Sequence, residues 1–264
     1  MSKEVKQHKK HIKFARRQVN KIERRIETLQ IKRQWRLLPK EKRPRQYSNS
    51  YLHRWNLHEE IANSITHGIG ILIGIVALIL MIVDAAKHHS TIGVVSGTIF
   101  GSSLILAYIS STLYHAILYP PVKQVFKIVD HSSIFLLIAG TYTPFCLITL
   151  HGSLGWTLFG IVWGIALIGI ILKIFLVNRF EMLSTLLYLA MGWIAATVVV
   201  QLYHHLPFAG CMLLLAGGLA YTFGVIFFVL ERIPFFHTVW HLFVLTGSLL
   251  HFFAILLYVM PVTV

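Results

Sequence analysis

Seven apolar stretches fill this 264-residue chain from residue 61 almost to its end, roughly 61–83, 92–118, 125–149, 154–177, 182–204, 208–230 and 236–259. Each exceeds the about 20 residues a helix needs to cross a hydrocarbon core about 30 Å thick. Lipid offers the backbone no water, so the stretches must be helices that satisfy their own N–H and C=O groups. The breaks between them have physical causes: Asp84–Ser90, Pro120-Pro121, Gly152–Gly155, Asn178–Glu181, His204–Pro207 and Glu231–Pro234. The fold expected is therefore all-α, a polytopic bundle of seven transmembrane helices. Glycines 97, 101, 160, 164, 217 and 218 suit close helix contacts. Composition excludes a soluble domain: 56% of residues are hydrophobic and 13% charged, against about 45–50% and about 25% in soluble chains.

Charge is segregated. Residues 1–54 hold 18 of the 24 Lys/Arg and 4 of the 10 Asp/Glu, so 18 − 4 accounts for the whole net charge of +14. The chain divides into a basic tail, 1–54, and a neutral membrane domain, 55–264. The first 54 residues contain no apolar core that could act as a signal peptide. Within the tail, Ile12, Ala15, Val19, Ile22, Ile26 and Leu29 step by 3 and 4, an apolar seam on a Lys/Arg-rich helix that suits an anionic lipid surface or a partner helix. Pro39–Gln46 is a basic linker. Basic residues beside a first membrane helix serve orientation, so nucleic acid is not an expected partner. With the tail in the cytoplasm, the even-numbered connections carry Lys123, Lys127, Lys173, Arg179 and Arg232, and the odd-numbered ones only Lys87. That asymmetry places the N-terminus in the cytoplasm and the C-terminus outside a cell membrane. Cys146 and Cys211 have neither disulfide nor metal-ligand spacing and read as small core residues.

Polar residues gather at one depth. His115 lies one turn after Ser111 at the inner end of the second segment, and Asp130 opens the third. His237 and His241, also one turn apart, begin the seventh segment, and Glu60, Asn63 and His67 share a face of the first. With alternating directions all of them lie near the cytoplasmic face, where residues that lipid disfavours are functional by default. An i,i+4 histidine pair with a third imidazole gives three metal ligands and leaves a fourth position for water, the arrangement of a catalytic site. Zinc is the expected ion, although imidazole also suits copper, iron and nickel. Asp130 can act as general base or hold the water, and Ser111 can hold that water or a substrate carbonyl. His251, about 15 Å further along its helix, is too far to join them and is expected to be buried and hydrogen-bonded. His88, His89, His204 and His205 fall at outer connections and are expected to be solvated.

Four ordered motifs, Glu59-Glu60 with Asn63 and His67-Gly68, Ser111 with His115, Asp130-His131-Ser132, and His237 with His241, resemble those of the hemolysin III family. This is the prokaryotic branch of the adiponectin and progestin receptor superfamily, itself similar to the alkaline ceramidases. The resemblance covers about residues 55–260 and leaves out the basic tail. It implies a seven-helix fold with a zinc ion near the cytoplasmic face, held by His115, His237 and His241. Asp130 matches the family carboxylate that holds the zinc-bound water, and Ser111 the motif serine. The function it implies is a zinc-dependent hydrolase of membrane-lipid amides, or an activity in lipid homeostasis. The alternatives are a pore-forming hemolysin with a structural zinc and a seven-helix receptor or sensor.

Reporter fusions at Ser2 and Val264 should report opposite sides of the membrane, with Ser2 inside. Both ends on one side would contradict the charge asymmetry.

Overall fold

The computed structural model describes residues 54–176 and 181–261. In chain order its helices are α1 (Arg54–Lys87), α2 (Thr91–Ala116), α3 (Pro120–Pro144), α4 (Gly152–Leu176), α5 (Glu181–Trp193), α6 (Val199–His205), α7 (Phe208–Val229) and α8 (Phe236–Tyr258). A π-helical turn, Phe145–Leu150, prolongs α3, and a 3₁₀ turn, Ile194–Val198, joins α5 and α6 into a single span. Among the described residues there are seven spans long and apolar enough to cross a membrane and no strand. The protein is an all-α, multi-pass membrane protein. The amphipathic helix expected in residues 1–54, the linker Pro39–Gln46 and the charge at Arg179 lie outside the described residues.

Successive spans pack beside one another, and α1 closes the set against α8. The third span lies inside: 83% of its apolar window is buried, against 50% or less in every other span. α1 instead turns a stripe of Ile61, Ile65, Ile69, Leu72, Val76 and Val83 outward. Steps of 3, 4 and 7 keep these residues on one face, where lipid takes the place of a packing partner.

The helix ends follow from local chemistry. α1 runs past Asp84 to Lys87, a turn beyond the expected stop, and His88 Nδ1 then donates to the Asp84 backbone carbonyl at 2.9 Å. The turn comes at His89, with φ 51°, and Ser90 then caps α2 by accepting from the Gly93 N–H at 3.0 Å. Pro120 and Pro121 open α3, where a missing N–H costs nothing. That early start overturns one expectation. Lys123 and Lys127 do not lie on a connection but are buried in α3, as Lys173 is in α4. The helices outlast their apolar cores, and long lysine stems can lie along apolar surface while the ammonium finds polar groups.

The glycines divide as well. A Cβ at Gly97 would press on Met81, one at Gly101 on Leu78 and one at Gly217 on the His251 ring. Gly160, Gly164 and Gly218 face open space and serve no close contact. Cys146 is buried and Cys211 half-buried, both as free thiols. His89, His204 and His205 are exposed and His88 is half-buried, while His251 is buried with its Nε2 donating to the Leu214 carbonyl at 3.1 Å.

One interaction holds the break in the fifth span. Where α5 gives way to the 3₁₀ turn, backbone groups lose their helical partners inside the membrane. The Tyr142 hydroxyl of α3 points its proton toward the carbonyls of Met191, at 3.0 Å, and Gly192, at 2.7 Å, and accepts from the Ala195 N–H at 2.8 Å. A neighbouring helix thus satisfies what the break exposes. Tyr142→Phe should lower stability by about 1–3 kcal/mol, the cost of orphaning buried polar groups. The denaturation midpoint of the purified protein measures this, and an unchanged midpoint would contradict it.

Candidate metal centre

His115 reaches the bundle interior from the last turn of α2, while His237 and His241 come from the first turns of α8. One nitrogen from each ring lies within 4.8 Å of the other two. The ring centroids are 5.0 Å apart for His115–His237 and His115–His241, and 4.8 Å for His237–His241. His115 and His241 are buried, and His237 is half-buried.

The hydrogen bonds around the three rings select one tautomer. His115 Nδ1 lies 2.8 Å from Glu60 Oε2, an oxygen that also receives Lys123 Nζ at 3.0 Å. A carboxylate shared with an ammonium group accepts, so the imidazole must donate. His241 Nδ1 lies 3.3 Å from the Asn63 backbone carbonyl, which can only accept. Thr66 Oγ1, also 3.3 Å away, directs its own proton to the carbonyls of Ala62 and Asn63 and so can only accept as well. His237 Nδ1 lies 3.1 Å from Glu231 Oε2. Burial works to raise the Glu231 carboxyl, but the His237 hydrogen bond and neighbouring positive charge, Lys127 included, hold it below its ordinary value. Every Nδ1 therefore carries a proton and every Nε2 is left as a lone-pair donor. His115 Nε2 is buried without any hydrogen-bond partner. Buried polar atoms are seldom left so, and three imidazoles with one nitrogen each within 4.8 Å of the others fit one ion of the zinc type.

The other residues marked in the sequence also converge here. Ser111 hydrogen-bonds the Asp130 carboxylate, which also faces the Lys123 and Lys127 ammonium groups and the His237 ring. Asn63 uses both ends of its residue on α8, its carbonyl for His241 and its Oδ1 for the Thr238 hydroxyl at 2.5 Å. His67 stacks on His241 with centroids 3.6 Å apart, yet stands outside the group of three, and neither of its ring nitrogens has a partner. His251 lies apart from the cluster, as its position along the helix requires. Sequence reasoning missed Glu231, Lys123 and Thr66. In the sequence alone Glu231 marks a helix break and Lys123 an orientation charge. For Glu231 a clue was present, since a carboxylate six residues before a histidine can fold back across a tight turn.

That turn is itself pinned to the site. Phe235 adopts φ 64°, and its N–H donates to Glu59 Oε1 at 3.1 Å, which ties the start of α8 to α1. On the inner side, Phe228 packs on His237 with centroids 5.9 Å apart and on Trp240 at 5.5 Å. Both rings line a cavity of about 340 Å³ between α3, α5, α7 and α8, walled mainly by apolar side chains such as Leu137, Ile138, Leu189, Val225 and Val244.

The Haemolysin-III related family model matches residues 55–252. "Hemolysin-3" of Bacillus cereus is 55% identical over 203 residues, 77% of this chain and 93% of that protein. "Hemolysin-3 homolog" of Bacillus subtilis (strain 168) is 51% identical over 208 residues, 79% and 98% of the two chains. The human "Monocyte to macrophage differentiation factor" is 31% identical over 206 residues, covering 75% of this chain and 83% of its own.

Replacing both His237 and His241 by alanine should abolish stoichiometric metal in the purified protein, as read by elemental analysis. Full retention of metal would reject the three-histidine site.

Proposed function

The chain belongs to the haemolysin-III-related family, and we propose that it binds one zinc ion through His115, His237 and His241 and hydrolyses an amide of a membrane lipid reached from within the bilayer. The observation that carries this is the common tautomer of three converging imidazoles, with a carboxylate, Asp130, on the same side of the bundle. Held by three imidazoles, zinc supplies a Lewis acid for a carbonyl and brings the ionisation of water into the neutral range.

The chain's own residues supply the remaining requirements. Asp130 takes a proton from the attacking water on a carboxylate oxygen as the water oxygen bonds to the amide carbon. It returns that proton to the amide nitrogen when the C–N bond breaks, which yields a fatty acid and an amine. The Ser111 hydroxyl, bonded to the same carboxylate, fixes its direction. Lys123 and Lys127 keep positive charge near it. The apolar cavity reaches the Phe228 and Trp240 rings beside His237 and offers room for an acyl chain, while apolar walls exclude bulk water. Residues 1–54, with their excess of positive charge, serve the cytoplasmic anionic leaflet, where each basic residue contributes about 1 kcal/mol.

A second reading follows from the names of the two Bacillus relatives: a membrane-perturbing protein whose metal is structural. Asp130→Asn separates the two. The hydrolase should keep its zinc and its thermal midpoint while losing turnover, at least a hundredfold for a general base. Lipid profiles of cells carrying the parent or the variant should then differ in an amide-linked lipid and its fatty acid. Identical profiles, with both proteins metal-loaded, would favour the structural-metal reading.

A further inference from the structure

We propose that Glu60 is a positioning residue for the metal centre, fixing the His115 proton on Nδ1 so that Nε2 faces the ion. The proposal rests on the zinc reading above and gives the first-span carboxylate a task that the hydrolytic chemistry does not.

The three imidazoles differ in what fixes them. His241 Nδ1 donates to a backbone carbonyl, that of Asn63, which no side-chain replacement removes. His237 Nδ1 donates to Glu231, whose side chain is 48% exposed, so water can replace it. His115, 4% exposed, has only side chains around its Nδ1. Two compete for that atom. Glu60 Oε2 lies at 2.8 Å and accepts, while the Asn63 amide nitrogen lies at 3.4 Å and donates. These neighbours demand opposite tautomers. With the carboxylate present, the shorter and charge-assisted bond sets the proton on Nδ1. Without it, the nearest partner becomes an N–H donor, which favours a bare Nδ1 and a proton on Nε2, the atom a metal needs.

Glu60 is itself held. Its Oε2 takes Lys123 Nζ at 3.0 Å, and the same ammonium donates to the Tyr114 carbonyl at 2.6 Å and lies 4.4 Å from the Tyr114 ring centroid. Lysine from α3, carbonyl from α2 and carboxylate from α1 thus meet beside the ligand, so the direction of His115 is set by three spans together. Partners of this kind orient the ligand and raise its basicity, and their loss costs about 10–100-fold in metal affinity.

The test uses the full-length protein in detergent, stripped of metal and titrated with zinc against a chromophoric chelator, and with cobalt(II) followed by its visible bands. Glu60→Ala should bind zinc about 10–100-fold more weakly, and its cobalt bands should shift as the His115 ligand loosens. Glu60→Gln keeps an acceptor oxygen and should recover part of the affinity. Lys123→Met leaves the acceptor in place and should cost less than Glu60→Ala. Parent-like affinity and cobalt bands in both Glu60 variants would overturn the proposal. So would equal losses in all three variants together with equally lowered thermal midpoints of the metal-free proteins, which mark a packing role. If Glu60→Ala does not fold, Glu60→Gln decides by its cobalt bands, which should differ from the parent's. A parent that takes up neither metal would instead remove the zinc reading on which the proposal stands.

Discussion

A histidine buried in a membrane protein has two nitrogens to satisfy and no water to satisfy them with. That constraint organises one end of this bundle. Glu60, the Asn63 carbonyl and Glu231 each engage one Nδ1, which leaves three Nε2 lone pairs on rings that each bring one nitrogen within 4.8 Å of the other two. The spans that supply the acceptors differ from those that supply two of the imidazoles, so the site cannot form until α1 packs on both α2 and α8. Assembly of the bundle and preparation of the site are one event. The Phe235 N–H on Glu59 and the Thr238 hydroxyl on Asn63 add to the same joint.

The interior third span gives the rest of the molecule its logic. α3 carries Asp130 at one end and Tyr142 toward the other, and both work on neighbouring elements. Asp130 is held by Ser111 from α2, while Tyr142 stabilises a break in the fifth span. Between the two lies the side of α3 that lines the apolar cavity, through Ile134, Leu137, Ile138 and Thr141. A single buried helix therefore places the proposed base, borders the proposed acyl site and supports the span opposite.

How much of this could be read from the sequence depended on range. The seven spans follow from length and hydropathy, whereas Pro120 and Pro121, which read as a break before a stretch starting at residue 125, open α3 because a first helical turn tolerates proline. The i,i+4 spacing of His237 and His241, and of Ser111 and His115, places each pair on one helix face before any packing is known. What sequence could not give were the pairings between spans. Nothing local says that Lys123 turns inward to Glu60, or that a tyrosine fifty residues earlier repairs the backbone near Ala195. The misjudged glycines make the same point: Gly160 and Gly164 satisfy the composition rule for helix contacts, yet their face of α4 meets open space. The family match, residues 55–252, leaves the basic tail to be understood by its own charge.

The most direct measurement is X-ray absorption at the zinc edge of the purified, metal-loaded protein. The account predicts nitrogen and oxygen scatterers at about 2.0–2.2 Å, no sulfur near 2.3 Å, and outer-shell scattering that counts three imidazoles. A sulfur shell, fewer than three imidazoles, or a protein that takes up no zinc would contradict it.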